Sequence, residues 1–164
     1  MSYWIIVLVQ VSIVAYALVG GVFLAFSDFI MRSLRLTPGT GGIDAMQSIN
    51  LQVFRWVFMS LFLGLGPVSL ILAAYSGFSL TVPGAVLVLL SGVCYLAGCL
   101  GVTIFCNVPM NERLAKMNSS DDATRDYWTA TYLPRWTFWN TVRTLACTLA
   151  AVLQVFGLVT IVAS

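Results

Sequence analysis

The 164-residue chain contains no histidine. That removes the commonest ligand of haem, zinc, copper and non-haem iron, and the commonest general base. Charge is scarce too. Eight basic and six acidic side chains make up 9% of the residues, against about 25% in a soluble domain. This excludes a disordered chain, a nucleic-acid binder and almost any water-soluble enzyme. The four cysteines, Cys94, Cys99, Cys106 and Cys147, lie in apolar runs without a CxxC spacing. Such thiols are expected to be small buried hydrophobes, not a disulfide or a metal centre. The chain also lacks a Walker loop, GxGxxG and GxSxG. It has no internal repeat or linker, so residues 1–164 read as a single transmembrane domain.

What fills the chain is apolar surface. Hydrophobic residues are 60% of the sequence, and the first 27 and last 21 residues carry no charge. A membrane span needs about 20 apolar residues. Four runs meet that length, about 4–33, 45–75, 82–106 and 135–162. They predict an all-α, integral membrane, four-helix up-down bundle. A short interfacial helix rich in Tyr and Trp is expected before the fourth span. The first run follows no Lys or Arg and exceeds the 7–15 residues of a signal-peptide core, so it reads as a retained helix.

Punctuation sets the ends. Thr37-Pro38-Gly39-Thr40-Gly41-Gly42 is turn composition. Asp44 with Gln47 reads as a capping pair. Gly64 to Pro67 predicts a kink in the second span. Pro109 disfavours helix at Val108, and Pro134 suits the opening of the fourth helix. All eight basic residues (Arg32, Arg35, Arg55, Arg113, Lys116, Arg125, Arg135 and Arg143) belong to the first and third connections or the adjoining helix ends. The positive-inside rule then places that face in the cytoplasm and both termini outside a cell membrane crossed several times.

Counting residues from the uncharged ends at 1.5 Å each brings Asp28, Arg55, Asn107 and Arg143 to one depth near the charged face. Asn50 and Asn140 fall about a turn further out. On the fourth helix Trp136, Asn140, Arg143 and Cys147 follow at spacings of 4, 3 and 4 and share a face. Trp139 borders it. An ionised Arg inside a span costs roughly 2.5–3.5 kcal/mol at the centre and less near an interface. Arg143 therefore either snorkels as an anchor or points inward, with Asp28 and Glu112 as counter-charges. The Asn140 and Trp neighbours favour the inward reading. Asn50 alone reads equally as an interhelical hydrogen-bonding group. Ser91, Cys94, Gly98 and Gly101 form a small-residue stripe for helix packing.

Three strings carry more information together than singly. They are Met46-Gln47-Ser48-Ile49-Asn50, Asn107-Val108-Pro109-Met110-Asn111-Glu112-Arg113-Leu114, and Trp136-Thr137-Phe138-Trp139-Asn140-Thr141-Val142-Arg143. In this order and spacing the chain resembles the anthrone-oxygenase-like family of small four-helix membrane proteins. Most bacterial members of that family have no assigned function. Its fungal members are linked to the oxidation of anthrones to anthraquinones with molecular oxygen. The resemblance implies functional positions at Asn50, Asn107, Asn111, Asn140 and Arg143, with Trp139 beside them.

The expected activity is that of a membrane oxygenase on a flat, apolar phenolic, anthrone-like or quinone-like compound. Arg143 and the Asn amides would stabilise an anion, and Trp136 and Trp139 would stack on its ring. Asp28 or Glu112 would remove the proton. No metal and no other cofactor is expected. The expected partners are a small aromatic or lipid-like ligand and membrane lipids, not nucleic acid, with self-association left open. The alternative is a non-catalytic protein that binds or transports a lipid, quinone or amphipathic anion.

Overall fold

The computed structural model describes residues 2–79 and 81–163. They form five helices: α1 (Tyr3–Leu36), α2 (Gly41–Gln52), α3 (Trp56–Gly77), α4 (Ala85–Ala115) and α5 (Asp122–Ala163). Four of them, α1, α3, α4 and α5, are long and apolar enough to cross a membrane. The protein is a multi-pass membrane protein. Around the bundle α1 packs on α3, α3 on α4, α4 on α5, and α5 back on α1. Val11, Leu18, Leu63, Leu70, Leu145 and Phe156 stand outward and exposed, as a lipid-facing surface requires.

The second predicted span is two helices. The backbone breaks between Gln52 and Trp56, where Arg55 is extended. The break lets α2 lie across the charged end and bury Ile43 and Met46 against Leu114, Tyr127 and Tyr132. Asp44 does not cap it, because the helix starts three residues earlier. Thr40 instead donates to the Asp44 carboxylate at 2.7 Å. Hydrogen bonds from Ser119 and Thr40 hold that carboxyl below its usual range. Gln47 turns away from its own backbone and donates to the carbonyls of Leu114 and Met117, at 2.8 and 2.9 Å. It thus ties α2 to the last turn of α4 and to Met117 just beyond it.

Neither Pro109 nor Pro134 interrupts a helix. Each follows a widened π-helical turn, Thr103–Asn107 in α4 and Trp128–Tyr132 in α5. A proline ring collides with the carbonyl four residues back and offers no N–H to it. One extra residue in the preceding turn makes room for the ring. The Tyr- and Trp-rich segment before the fourth span therefore joins it without a break. A third such turn, Phe26–Ile30, lies in α1, and a longer one, Cys94–Gly101, in α4.

Two of the glycines that set close approaches bring α4 onto α5. Gly84 opens α4 in the left-handed region, φ 81°, and a Cβ there would lie 2.5 Å from the Gly157 carbonyl oxygen. A Cβ on Gly98 would lie 2.7 Å from that of Ala146, so this part of the small-residue stripe presses α4 onto α5. Toward the uncharged end a polar chain crosses the core. Gln154 Nε2 donates to Ser12 at 2.9 Å, and Ser91 donates to the Ala150 carbonyl at 2.8 Å and the Gln154 amide oxygen at 3.3 Å. Tyr16 and Ser69 hydroxyls meet at 2.7 Å. Interhelical bonds of this kind average about 0.6 kcal/mol and reach about 1.7 kcal/mol. Gln154→Leu is expected to destabilise the bundle by about that range, read by denaturation in mixed micelles.

Candidate functional site

The charged end of the bundle holds a buried cluster built from α1, α2, α4 and α5. Its centre is Arg143, only 5% exposed. Arg143 donates through Nη2 to the Asn140 amide oxygen at 2.7 Å and through Nη1 to Thr103 Oγ1 at 3.3 Å. Its guanidinium lies 4.2 Å from the Phe23 ring centre and 5.2 Å from that of Trp136. The helical spacing of Trp136, Asn140 and Arg143 puts all three on one face. Phe23 and Thr103 reach them from neighbouring helices.

Asn140 is fully buried and ties α5 to α1. Its amide nitrogen donates to the Phe23 carbonyl at 2.6 Å and to Ser27 Oγ at 2.7 Å. Ser27 belongs to the widened turn of α1. Asn140 is thus held at one end by α1 and holds Arg143 at the other. Asn107 donates to the Trp136 carbonyl at 3.2 Å.

A second layer lies toward the charged face. Asn111 Oδ1 accepts from Tyr132 OH and Trp136 Nε1, both at 2.8 Å. Asn50 Nδ2 donates to Tyr132 OH at 3.4 Å. Trp128, Tyr132 and Trp136 stack in sequence, with ring centres 5.2 and 6.2 Å apart. Asn50, Asn111, Tyr132, Trp136 and Arg143 therefore form a continuous chain of contacts, and Asn107 and Asn140 join it through Trp136 and Arg143.

Other expected residues lie elsewhere. Asp28 and Glu112 are exposed. Among the described residues the one ion pair joins Arg125 to Asp122 at 3.2 Å. Arg143 therefore pairs with neither expected carboxylate. Arg55 is exposed beyond the break before α3, which removes it from the polar layer that the depth count gives it. Trp139 is half-buried and packs edge-on against Phe138 with ring centres 5.1 Å apart, while the rings over Arg143 are Phe23 and Trp136. Asn107 lies inside α4, because the helix runs on through Pro109.

Sequence reasoning misses Phe23, Ser27, Thr103 and Tyr132. Tyr132 is findable by continuing the four-residue stripe backward from Asn140 through Trp136 to Trp128. Pro134, read as the start of the helix, conceals that continuity. Ser27 and Thr103 carry no sequence signal beyond being hydroxyls near the charged end.

The electrostatics are unusual for a buried cation. A charge removed from water is ordinarily paired or neutralised. Here two aromatic faces and two neutral oxygens surround it. Cation–π contacts contribute about 0.5–2 kcal/mol, less than the several kcal/mol that desolvation costs. Two buried polar atoms of the cluster, Arg143 Nε and Asn107 Oδ1, have no partner among the described residues. One is a donor and the other an acceptor. The arrangement suits a ligand that brings a negative oxygen to the guanidinium and a flat ring to the aromatic walls.

One turn below Arg143, the Cys99 and Cys147 sulfurs touch at 3.3 Å as free thiols. Among the described residues no group of three or more Cys, Asp or Glu side chains is placed to hold a metal ion.

Fold and site together define a four-helix integral membrane protein with a buried, carboxylate-free cationic cluster. The chain belongs to the anthrone oxygenase family, whose model matches residues 52–153. That match covers the Asn107 and Trp136 strings and begins just after Asn50. No curated protein and no solved structure matches the chain.

Proposed function

We propose that the protein binds the anion of a flat, weakly acidic aromatic compound in the membrane and directs its oxidation by molecular oxygen. The observation that carries this reading is Arg143, a buried guanidinium between two aromatic rings with no carboxylate partner among the described residues. An anthrone has an acidic C–H and forms an electron-rich enolate. Arg143 faces the enolate oxygen and lowers the cost of forming it. Trp136 and Phe23 supply the flat walls.

The enolate transfers electrons to oxygen and forms a C–O bond. Protonation gives a hydroperoxide, which loses water to leave a carbonyl. In balance, one ring methylene and one molecule of oxygen become one carbonyl and one molecule of water. The chain's own part is to bind, orient and exclude water. Neither Asp28 nor Glu112 touches the cluster, so the C–H proton passes to solvent at the charged face, the Arg143 charge stabilises the anion left behind, and solvent returns a proton to the peroxide.

The test is oxygen uptake with anthrone as probe, using purified protein in phosphatidylcholine vesicles. Protein-dependent uptake with formation of anthraquinone is the expected result. Stoichiometric binding without uptake leaves the non-catalytic binding protein, a reading favoured by the absence of a carboxylate at Arg143. Absence of both uptake and binding overturns the proposal for this compound class.

The orientation belongs to the same proposal. Every basic residue lies toward one end of the bundle, and the positive-inside rule supports a cytoplasmic position in a cell membrane for that end and the Arg143 site. Reporters fused after residue 164 and inserted in the loop at Asn118 should be inactive and active, respectively, as cytoplasmic enzymes. The opposite pattern reverses the orientation.

A further inference from the structure

A groove of about 490 Å³ runs along the outside of the bundle between α1 and α5. Two rows form it, each repeating every four residues. Met31 and Arg35 on α1 continue the line of Ser27. Thr129, Leu133, Thr137 and Thr141 form the row on α5, with Pro134 and Phe138 beside it. Because the two helices run antiparallel, Arg35 and Thr129 mark the outer end, and Ser27 and Thr141 the inner end. The α5 row is about 18 Å long at 1.5 Å per residue.

The inner end adjoins the Arg143 site. Thr141 Oγ1 donates to Ser27 Oγ at 3.0 Å, and Ser27 Oγ also accepts from Asn140 at 2.7 Å. A single serine behind the groove wall therefore bonds both to Thr141 of that wall and to Asn140 of the buried cluster. Ser27 lies in the widened turn Phe26–Ile30 of α1, and Thr141 follows Asn140 directly. The remaining wall is mixed. Met31, Leu133 and Phe138 are apolar, whereas three threonines offer hydroxyls and Arg35 offers a charge. This pattern fits a flat amphiphilic acid and not a purely apolar tail. A ring lying in it would meet Phe138 and Leu133, a polar edge would meet Thr137 and Thr141, and a negative oxygen would meet Arg35 at the outer end.

We propose that this groove is the access route by which the acidic aromatic ligand passes from the membrane to Arg143, closed at its inner end by the Ser27–Thr141 hydrogen bond. The inference rests on the anion-binding reading of Arg143 for its destination. The groove itself is built without Arg143, so the two are separable by experiment.

The experiment uses the full chain in phosphatidylcholine vesicles and anthrone as probe. Thr137→Cys is labelled with N-ethylmaleimide, and modification is read at that residue by peptide mass spectrometry. Phe156→Cys, on the lipid-facing surface near the other end, is the control. Anthrone is expected to slow labelling of T137C at least fivefold, leave F156C unchanged, and protect T137C equally when R143L is also present. Attachment of a bulky maleimide at T137C should slow anthrone quenching of tryptophan emission at least tenfold without changing its end point, because a blocked route alters rates and not affinity. Unprotected T137C, or a quenching rate unaffected by the bulky group, overturns the access route whatever R143L does. Protected T137C with quenching that R143L leaves intact preserves the groove and overturns the Arg143 site instead.

Discussion

Arg143→Leu is expected to lower anthrone turnover by roughly 100- to 1,000-fold, the usual effect of removing one preorganised stabiliser of a developing oxyanion. If the protein only binds its ligand, affinity should fall instead. The chain should still insert in the membrane, since leucine is favoured there and the substitution deletes a costly buried charge. That contrast makes the variant informative: stability holds or rises while function disappears. Arg143→Lys should fall between the two. A lysine keeps the charge but lacks the planar fork that reaches both Asn140 and Thr103. Turnover within twofold of the parent in R143L would remove the guanidinium from the mechanism. Asn118→Ala in the exposed loop should change neither insertion nor turnover.

Asn140→Leu carries the second large effect, through a different route. Asn140 is a positioning residue whose amide oxygen anchors Arg143 and whose nitrogen anchors α1. Without it the guanidinium loses its 2.7 Å acceptor, and the half-buried Ser27 side of α1 loses a donor. The expected cost is about 1–3 kcal/mol of stability and, with roughly half to all of that energy felt in the transition state, about a 2- to 150-fold loss of turnover. A double-mutant cycle distinguishes positioning from general damage. If Asn140 acts by holding Arg143, adding N140L to R143L should lower turnover no further. Additive losses would show that Asn140 acts independently of the arginine.

Much of this architecture is written in gross composition. Uncharged runs announce four spans, and the spacing of Trp136, Asn140, Arg143 and Cys147 announces the inward face of α5. These features are legible because each depends on many residues acting in the same sense. The missing features depend on single local choices. The break before α3 has only Arg55 in extended conformation to mark it, and no glycine or proline stands there. Pro109 and Pro134 read as ends because a regular α-turn cannot hold a proline without losing a hydrogen bond. A widened turn can, and nothing in composition separates the two outcomes. The counter-charges fail for a third reason. Asp28 and Glu112 lie at suitable chain positions, but exposure to solvent is cheaper for a carboxylate than burial beside one cation.

The widened turns have a consequence for how the site tolerates change in chain length. Relative to a regular helix, each π-turn holds one surplus residue, and one residue corresponds to about 100° of rotation. Deleting Cys106 would let the turn Thr103–Asn107 relax to ordinary pitch. The segments before and after it in α4 would keep their azimuth, because five residues of a π-turn and four of an α-turn both close about one revolution. Thr103 and Asn107 touch Arg143 and Trp136 from the same helix, and after the deletion they would still share a face. The same holds for a deletion within Trp128–Tyr132, where Tyr132 partners Asn111. A deletion in a regular turn would instead rotate one flank by about 100° against the other. The widened turns are thus the places where α4 and α5 can lose a residue and keep the angular phase of the site, with Pro109 and Pro134 giving up the room those turns leave them.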